Sequence, residues 1–199
     1  MTQPTQQTSL SAQNTANSAA QISRSRLRKQ LLDARRASAV EDRAIWDRQI
    51  GQQVIAWCRQ QQIKSLGVFW PIQAEPDLRD CYAQLHQMKV QLALPLVPGK
   101  DQALQFLRWV PGDAMGQDDY GIPVPAQRSQ WMQPEALLIP CVGFNSDNYR
   151  LGYGGGFYDR TLAIAPRPKA VGIAYSLAHA EFAADTHDVA MDRVLTEKI

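Results

Sequence analysis

"ALLIPCVGFNSDNYRLGYGGGFYDRTLAIAPRPKAVGIAYS", running from Ala136 to Ser176, is the stretch that decides the fold. Ala136 to Phe144 is a short apolar run of strand character, followed by a glycine-rich loop. "FYDRTLAIAP", Phe157 to Pro166, has the length of a short helix that proline closes, and "KAVGIAYS" from Lys169 reads as strand again. Strand, loop, helix and strand make a βαβ unit, which implies two parallel strands with a helix laid across one face of their sheet.

The pattern repeats upstream. "IKSLGVFWP", Ile63 to Pro71, is apolar and stopped by proline; Pro76 then opens a helix in which Leu78, Tyr82, Leu85 and Met88 share a face, and "VQLALPLV" returns to strand. "ALQFLRWV", Ala103 to Val110, and the terminal "RVLTEK" add two more strands. Before them, Ser38 and Glu41 have capping-box spacing ahead of a helix that buries Trp46, Ile50, Val54 and Trp57 and ends near Gln62. From Gln21, Ile22, Leu27, Leu31 and Ala34 recur at helical spacing among Arg24, Arg26, Arg28, Lys29, Arg35 and Arg36, a basic amphipathic helix. The fold expected is a three-layer α/β/α arrangement around a mostly parallel sheet. Residues 1–20, almost all Thr, Gln, Ser, Ala and Asn, read as a disordered tail, and residues 21–199 as one domain. The Pro- and Gly-rich stretch from Pro111 to Pro134 is long for a connection and is expected to be functional or mobile.

A formal net charge of +2 over 199 residues demands neither nucleic acid nor an anionic membrane as partner, so any anion site must be local. Cys58, Cys81 and Cys141 are odd in number and lack C-x-x-C spacing, which argues against disulfides and a zinc site. No apolar run approaches the roughly 20 residues that cross a bilayer. These features lead to the expectation of a cytoplasmic monomer.

"RLGYGGGFYDR", Arg150 to Arg160, is neither of the common nucleotide fingerprints. It lacks the lysine and hydroxyl of a P-loop, and a dinucleotide motif started at Gly152 and Gly154 ends on Phe157 where a glycine is needed. Its glycines would still let backbone N–H groups converge on an anion, with Arg150 and Arg160 supplying charge. Asp159 would repel phosphate unless magnesium lay between them. The alternative is a turn whose Tyr153, Phe157 and Tyr158 only pack. Glu75 follows a strand and could face a ligand crevice beside the apolar wall of Trp70, or could simply be an acid near a helix start. Arg24 and Arg28 lie one turn apart and could reach a triphosphate, or could form a solvated face. His86, His179 and His187 lack metal-ligand spacing, and no Ser or Cys stands in a nucleophile motif.

"PCVGFNSDNYRLGYGGGFYDR", preceded by "YGIPVP" and followed by "HDVAMDRVLTE", resembles the 5-formyltetrahydrofolate cyclo-ligase family, with the likeness running from about Arg24 to the C-terminus. The resemblance implies an enzyme that uses MgATP to turn 5-formyltetrahydrofolate into 5,10-methenyltetrahydrofolate, ADP and phosphate. It implies an ATP site from Arg24, Ser25, Arg26, Leu27 and Arg28 together with Arg150, Leu151, Gly152, Tyr153, Gly154, Gly155, Gly156, Phe157 and Tyr158. Arg28 and Arg150 are the expected catalytic cations. Folate contacts are implied at Trp70, Glu75 and Tyr120, and at Tyr153, Gly154, Gly155, Gly156 and Phe157. The implied magnesium carboxylates are Asp159 and Asp192, the latter otherwise readable as a surface acid beside Arg193. This chain departs from the family pattern at Arg24, often lysine, at Gly155, lysine in some members, and at Tyr149, where glycine is common.

Overall fold

The computed structural model describes residues 23–198; the tail expected over 1–20 lies outside them. Helix α1 covers 23–37, and α2 (Val40–Gln60) follows almost at once. The capping box does not form. Ala39 is the N-cap of α2 with no side-chain hydrogen bond, while the Ser38 hydroxyl turns back to donate to Ala34 O at 3.2 Å, and so belongs to the end of α1.

The remaining elements are β1 (Ser65–Gly67), α3 (Arg79–Gln87), β2 (Gln91–Leu96), β3 (Gln105–Trp109), β4 (Met115–Gln117), β5 (Pro123–Pro125), β6 (Ala136–Pro140), β7 (Gly143–Phe144), β8 (Arg150–Leu151), α4 (Phe157–Leu162), β9 (Lys169–Ile173), a 3-10 turn (Ser176–Ala178) and β10 (Arg193–Leu195). Six strands form the central sheet in the order β10-β9-β6-β1-β2-β3. All pair in parallel except β3, which lies antiparallel to β2 at one edge. The mostly parallel sheet is therefore as expected. Helix α3 starts three residues later than the proline suggests: Pro76 is buried, and the Asp77 carboxylate accepts the Arg79 N–H at 3.1 Å instead. The 111–134 connection is not structureless. It carries the β4–β5 hairpin, whose prolines stand at the two ends of β5, and whose turn is held by Asp118 Oδ1 accepting the N–H groups of Tyr120 and Ile122 at 2.9 and 2.8 Å.

Two opposite crossovers create the layers. The chain moves from β1 to β2 toward one edge and from β6 to β9 toward the other. Right-handed connections in opposite directions place α3 and α4 on opposite faces. The strand residues alternate accordingly: Leu66, Val68, Leu92, Leu94, Leu138, Val171 and Ile173 pack with Ile50, Val54, Trp57, Leu78, Tyr82 and Leu85 of α2 and the α3 segment. Ala93, Leu137, Ile139, Ala170 and Ala174 face the other way, against Phe106, Leu162 and Met191. Leu138→Ala, in the first of these clusters, should lower the unfolding free energy by about 2–5 kcal/mol, read as a lower urea midpoint at unchanged slope.

Candidate active site

Adjacent parallel strands β1 and β6 mark the place where the winding direction reverses, so the segments leaving their carboxyl ends splay apart and open a crevice. The exit from β1 carries Trp70 and Glu75. The exit from β6 carries Cys141, the β7–β8 hairpin and the glycine loop. Helix α1 lies against this end, with Leu31 packed on Val142 and Leu151.

Glu75 is only 4% exposed and lies four residues before α3 begins at Arg79, so it is not an acid of that helix's first turn. Gln73 and Ala74, both at positive φ, fold the backbone back so that Glu75 Oε2 accepts the Ile72 N–H at 2.9 Å. Its Oε1 accepts the Tyr153 O–H at 2.7 Å, which joins the β1 exit directly to the glycine loop. Burial raises the Glu75 pKa, against the lowering effects of the Ile72 and Tyr153 hydrogen bonds and the Arg35 charge. Glu75 and Trp70 also line a groove of about 410 Å³ shared with Arg43, Asp47, Asp77 and Arg79. In it the Arg79 guanidinium lies 5.4 Å over the Trp70 ring, and burial pushes the Asp47 carboxyl up to about 6.

The glycine loop is held at its margins and open in its middle. Gly154 and Gly156 adopt φ of +104° and +65°, backbone that side chains disfavour. At Gly155 a Cβ would come 2.6 Å from the Phe157 ring, so a side chain there would require that ring to turn. Among the described residues, the N–H groups of 152–156 donate to no backbone or side-chain acceptor. Converging unfilled amides are the physical requirement of an anion cradle. Helix α4 behind it has only six residues, so any such capacity rests on the loop's own amides more than on a long helix dipole.

Around the loop, the cations are unequal. Arg28 donates from Nε to Gly152 O at 2.8 Å, and its guanidinium stands 3.8 Å from where a Gly154 Cβ would be, leaving its outer nitrogens at the loop face. Desolvation and the neighbouring Arg24 lower its pKa, and Asp188 opposes them. Arg24 is tied to Asp188 at 2.5 Å and to Ala183 O at 3.1 Å. Ser25 and Arg26 are exposed, whereas Leu27 packs on the Leu31, Val142 and Leu151 cluster. Arg150, expected as a catalytic cation, is instead enclosed: its side chain is 4% exposed, Nη1 donates to Val189 O at 3.0 Å, and Nη2 forms a 2.6 Å ion pair with Asp159 that lacks hydrogen-bond alignment. Nη1 is thus committed to the protein, while Nη2 is buried beside Asp159 without an aligned acceptor. Arg160 clasps the Gly155 carbonyl and covers the Phe157 ring at 5.3 Å. Tyr120, 58% exposed on the β4–β5 turn, stacks edge-on with Phe157 at 6.1 Å, and Tyr158 lies under Arg150.

The two expected magnesium carboxylates have different partners. Asp159 Oδ1 takes Arg150 and the Val189 N–H, leaving Oδ2 without a hydrogen bond among the described residues. Asp192 is bonded to Arg167 at 2.9 Å and to the Ala170 N–H at 2.6 Å. It stands at the amino ends of β9 and β10, the opposite end of the parallel strands from Glu75. Both its oxygens accept hydrogen bonds from the protein. No cluster of three metal-ligating side chains exists among the described residues. Burial pushes the thiols of Cys58, Cys81 and Cys141 to about 12, which removes them as nucleophiles. No described helix is long and apolar enough to cross a membrane.

The residue that sequence reasoning passed over is Arg35, read there only as part of a basic helix. It is 2% exposed and donates to Gln73 O at 3.2 Å, Cys141 O at 3.3 Å and the Tyr153 hydroxyl at 2.7 Å. The signal was present: Arg24, Arg28, Leu31 and Arg35 follow one another at spacings of four, three and four, which puts Arg35 on the buried stripe of α1.

Comparison with known proteins supplies the family. The model of the 5-formyltetrahydrofolate cyclo-ligase family matches residues 20–197. The 5-formyltetrahydrofolate cyclo-ligase of Mycoplasma pneumoniae is 31% identical over 179 residues, covering 86% of this chain and 97% of that protein. The Haemophilus influenzae cyclo-ligase is 31% identical over 121 residues, 58% of this chain and 65% of that one. Among solved structures, the 5,10-methenyltetrahydrofolate synthetase of Mycoplasma pneumoniae superimposes with a TM-score of 0.73 at 29% identity, covering 88% of this chain and 99% of the other. The Aquifex aeolicus 5,10-methenyltetrahydrofolate synthetase gives 0.76 at 28% identity, covering 88% and 90%. A crevice at the reversal of the sheet, an open glycine loop and a buried glutamate thus occur in a chain that belongs to the 5-formyltetrahydrofolate cyclo-ligase family.

Proposed function

We propose that this chain cyclises 5-formyltetrahydrofolate to 5,10-methenyltetrahydrofolate with ATP as co-substrate, releasing ADP and phosphate. The observation that carries the reading is the Tyr153–Glu75 hydrogen bond. It fastens an amide-lined loop suited to phosphates to a buried carboxylate suited to the N–H donors of a pterin ring. Two substrates bound on the two sides of that bond would meet at the loop.

In the proposed reaction the formyl oxygen attacks the γ-phosphorus of ATP, the bond to the bridging oxygen breaks, and ADP leaves. The folate amine then attacks the activated formyl carbon, loses its proton to solvent, and expels phosphate as the ring closes. An amide oxygen is a weak nucleophile, so the protein's contribution is placement and charge. The loop amides of 152–156 hold the phosphates, the outer nitrogens of Arg28 neutralise the transferring group, and Trp70 walls the ring whose N–H groups Glu75 accepts. Tyr120 on the hairpin turn covers the Phe157 side. Arg24, beside Arg28, is paired with Asp188. Magnesium would arrive on the ATP phosphates and supply charge neutralisation there, with Asp159 Oδ2 as the protein oxygen able to hold it.

Omitting ATP from purified protein and 5-formyltetrahydrofolate should abolish the rise in methenyltetrahydrofolate absorbance seen with MgATP; no rise under either condition contradicts the proposal. Glu75→Gln should raise KM for 5-formyltetrahydrofolate about 10- to 100-fold while changing KM for ATP little. Glu75 is an acid whose pKa is raised, so the wild-type kcat/KM for folate falls as pH drops through that elevated value, and the Gln variant should lose this acid limb. A magnesium titration of turnover separates the carboxylates: Asp159→Asn should need more magnesium, and Asp192→Asn should titrate as wild type.

A further inference from the structure

Arg35 presents an unusual problem of compensation. A guanidinium taken out of water needs its charge and its donors met. Yet among the described residues Arg35 forms no direct ion pair, and its acceptors are two backbone carbonyls and the Tyr153 hydroxyl. The carboxylate it reaches is Glu75, through that hydroxyl: 2.7 Å from Arg35 Nη2 to Tyr153 Oη, then 2.7 Å to Glu75 Oε1.

The direction of this relay is not free. Arginine has donors and no acceptor, so the tyrosine oxygen must accept from Arg35, and its single proton is thereby committed to Glu75. Building on the folate role given to Glu75 above, we infer that Arg35 is a positioning residue for the cyclisation: through Tyr153 it keeps Glu75 an ionised acceptor for the folate ring and sets the loop against that ring. Burial alone would favour the protonated acid, whose O–H would compete with the ring donors it is meant to receive. Besides Arg35 on α1, the groups facing Glu75 are Tyr153 of the loop, Tyr158 of α4 and Cys141 after β6. Arg43, Asp47, Asp77 and Arg79 border the same groove. Of these cations only Arg35 is linked to Glu75 by hydrogen bonds.

A purely structural Arg35 would affect both substrates alike. In the absorbance assay, Arg35→Gln should raise KM for 5-formyltetrahydrofolate about 10- to 100-fold, leave KM for MgATP within about twofold, and move the acid limb of kcat/KM for folate to higher pH. Arg35→Lys, which keeps the charge, should return most of that pH shift. Tyr153→Phe breaks the relay but retains the other two Arg35 bonds, and should reproduce the folate effect. The double variant Arg35→Gln/Tyr153→Phe should be no worse than the weaker single variant. Equal rises in both KM values, an unmoved acid limb, or additive effects in the double variant would overturn the inference. If Arg35→Gln fails to fold, as read by thermal melting, the acid limb of Tyr153→Phe decides: unmoved, the relay has no such role. Wild-type protein lacking ATP-dependent turnover would sink the functional reading itself, whereas wild-type turnover with an indifferent Arg35→Gln sinks only the relay.

Discussion

The hydrogen bonds of the Arg35 guanidinium are the constraint on which the site depends. Leaving buried donors unmet is costly, so the chain must bring three acceptors to one point: a carbonyl beside Glu75, a carbonyl at the end of β6, and a hydroxyl of the glycine loop. These come from α1's own surroundings and from both strands at the reversal of the sheet. Satisfying one side chain therefore ties α1 to the segments leaving β1 and β6 and to the glycine loop.

The second buried arginine works on the far side of the loop. Arg150 holds Asp159 and the Val189 carbonyl, and Asp159 in turn holds the Val189 N–H, so the start of α4 and the 180s segment close behind the glycines. Between these two anchors the loop can leave its amides open without collapsing onto them. The negative charge of Asp159, which would otherwise oppose a phosphate nearby, is partly answered from within. The loop's aromatics have separate tasks as well: Tyr153 bonds inward, and Phe157 is clasped between Tyr120 and Arg160.

Most of the fold could be read from hydrophobic runs, because buried parallel strands such as 136–140 and 169–173 are continuous apolar segments, and α2 and the helix carrying Tyr82 and Leu85 have a clear buried face. What escaped was set by hydrogen bonding. The Pro123–Pro125 strand carries prolines that argue against a ladder, and becomes legible only when its partner Met115–Gln117 supplies a hairpin mate. Ser38 and Glu41 have the spacing of a cap, but a hydroxyl can equally turn back to the helix before it, and only the fold decides. At the site, residue chemistry pointed to Glu75, Arg28 and the glycines, and the fold bonds both side chains to the glycine loop. The surroundings of Arg150, Asp192 and Arg35 depended on which partners the fold would bring to each charge, and most of those partners lie more than 20 positions away along the chain.

That distance has a consequence for how the enzyme comes into being. The bonds that seat α1 join Arg24, Arg28 and Arg35 to residues 106 to 164 positions further on, except for the nearer contact with Gln73. During synthesis helix α1 leaves the ribosome before the segments that hold it, so it has to wait for Asp188 before its last anchor exists. The sheet can assemble in order, strand by strand, while the catalytic crevice closes only when nearly the whole chain is available. Activity is in this sense a late product of folding, acquired when helix α1 docks onto the segment that carries Asp188.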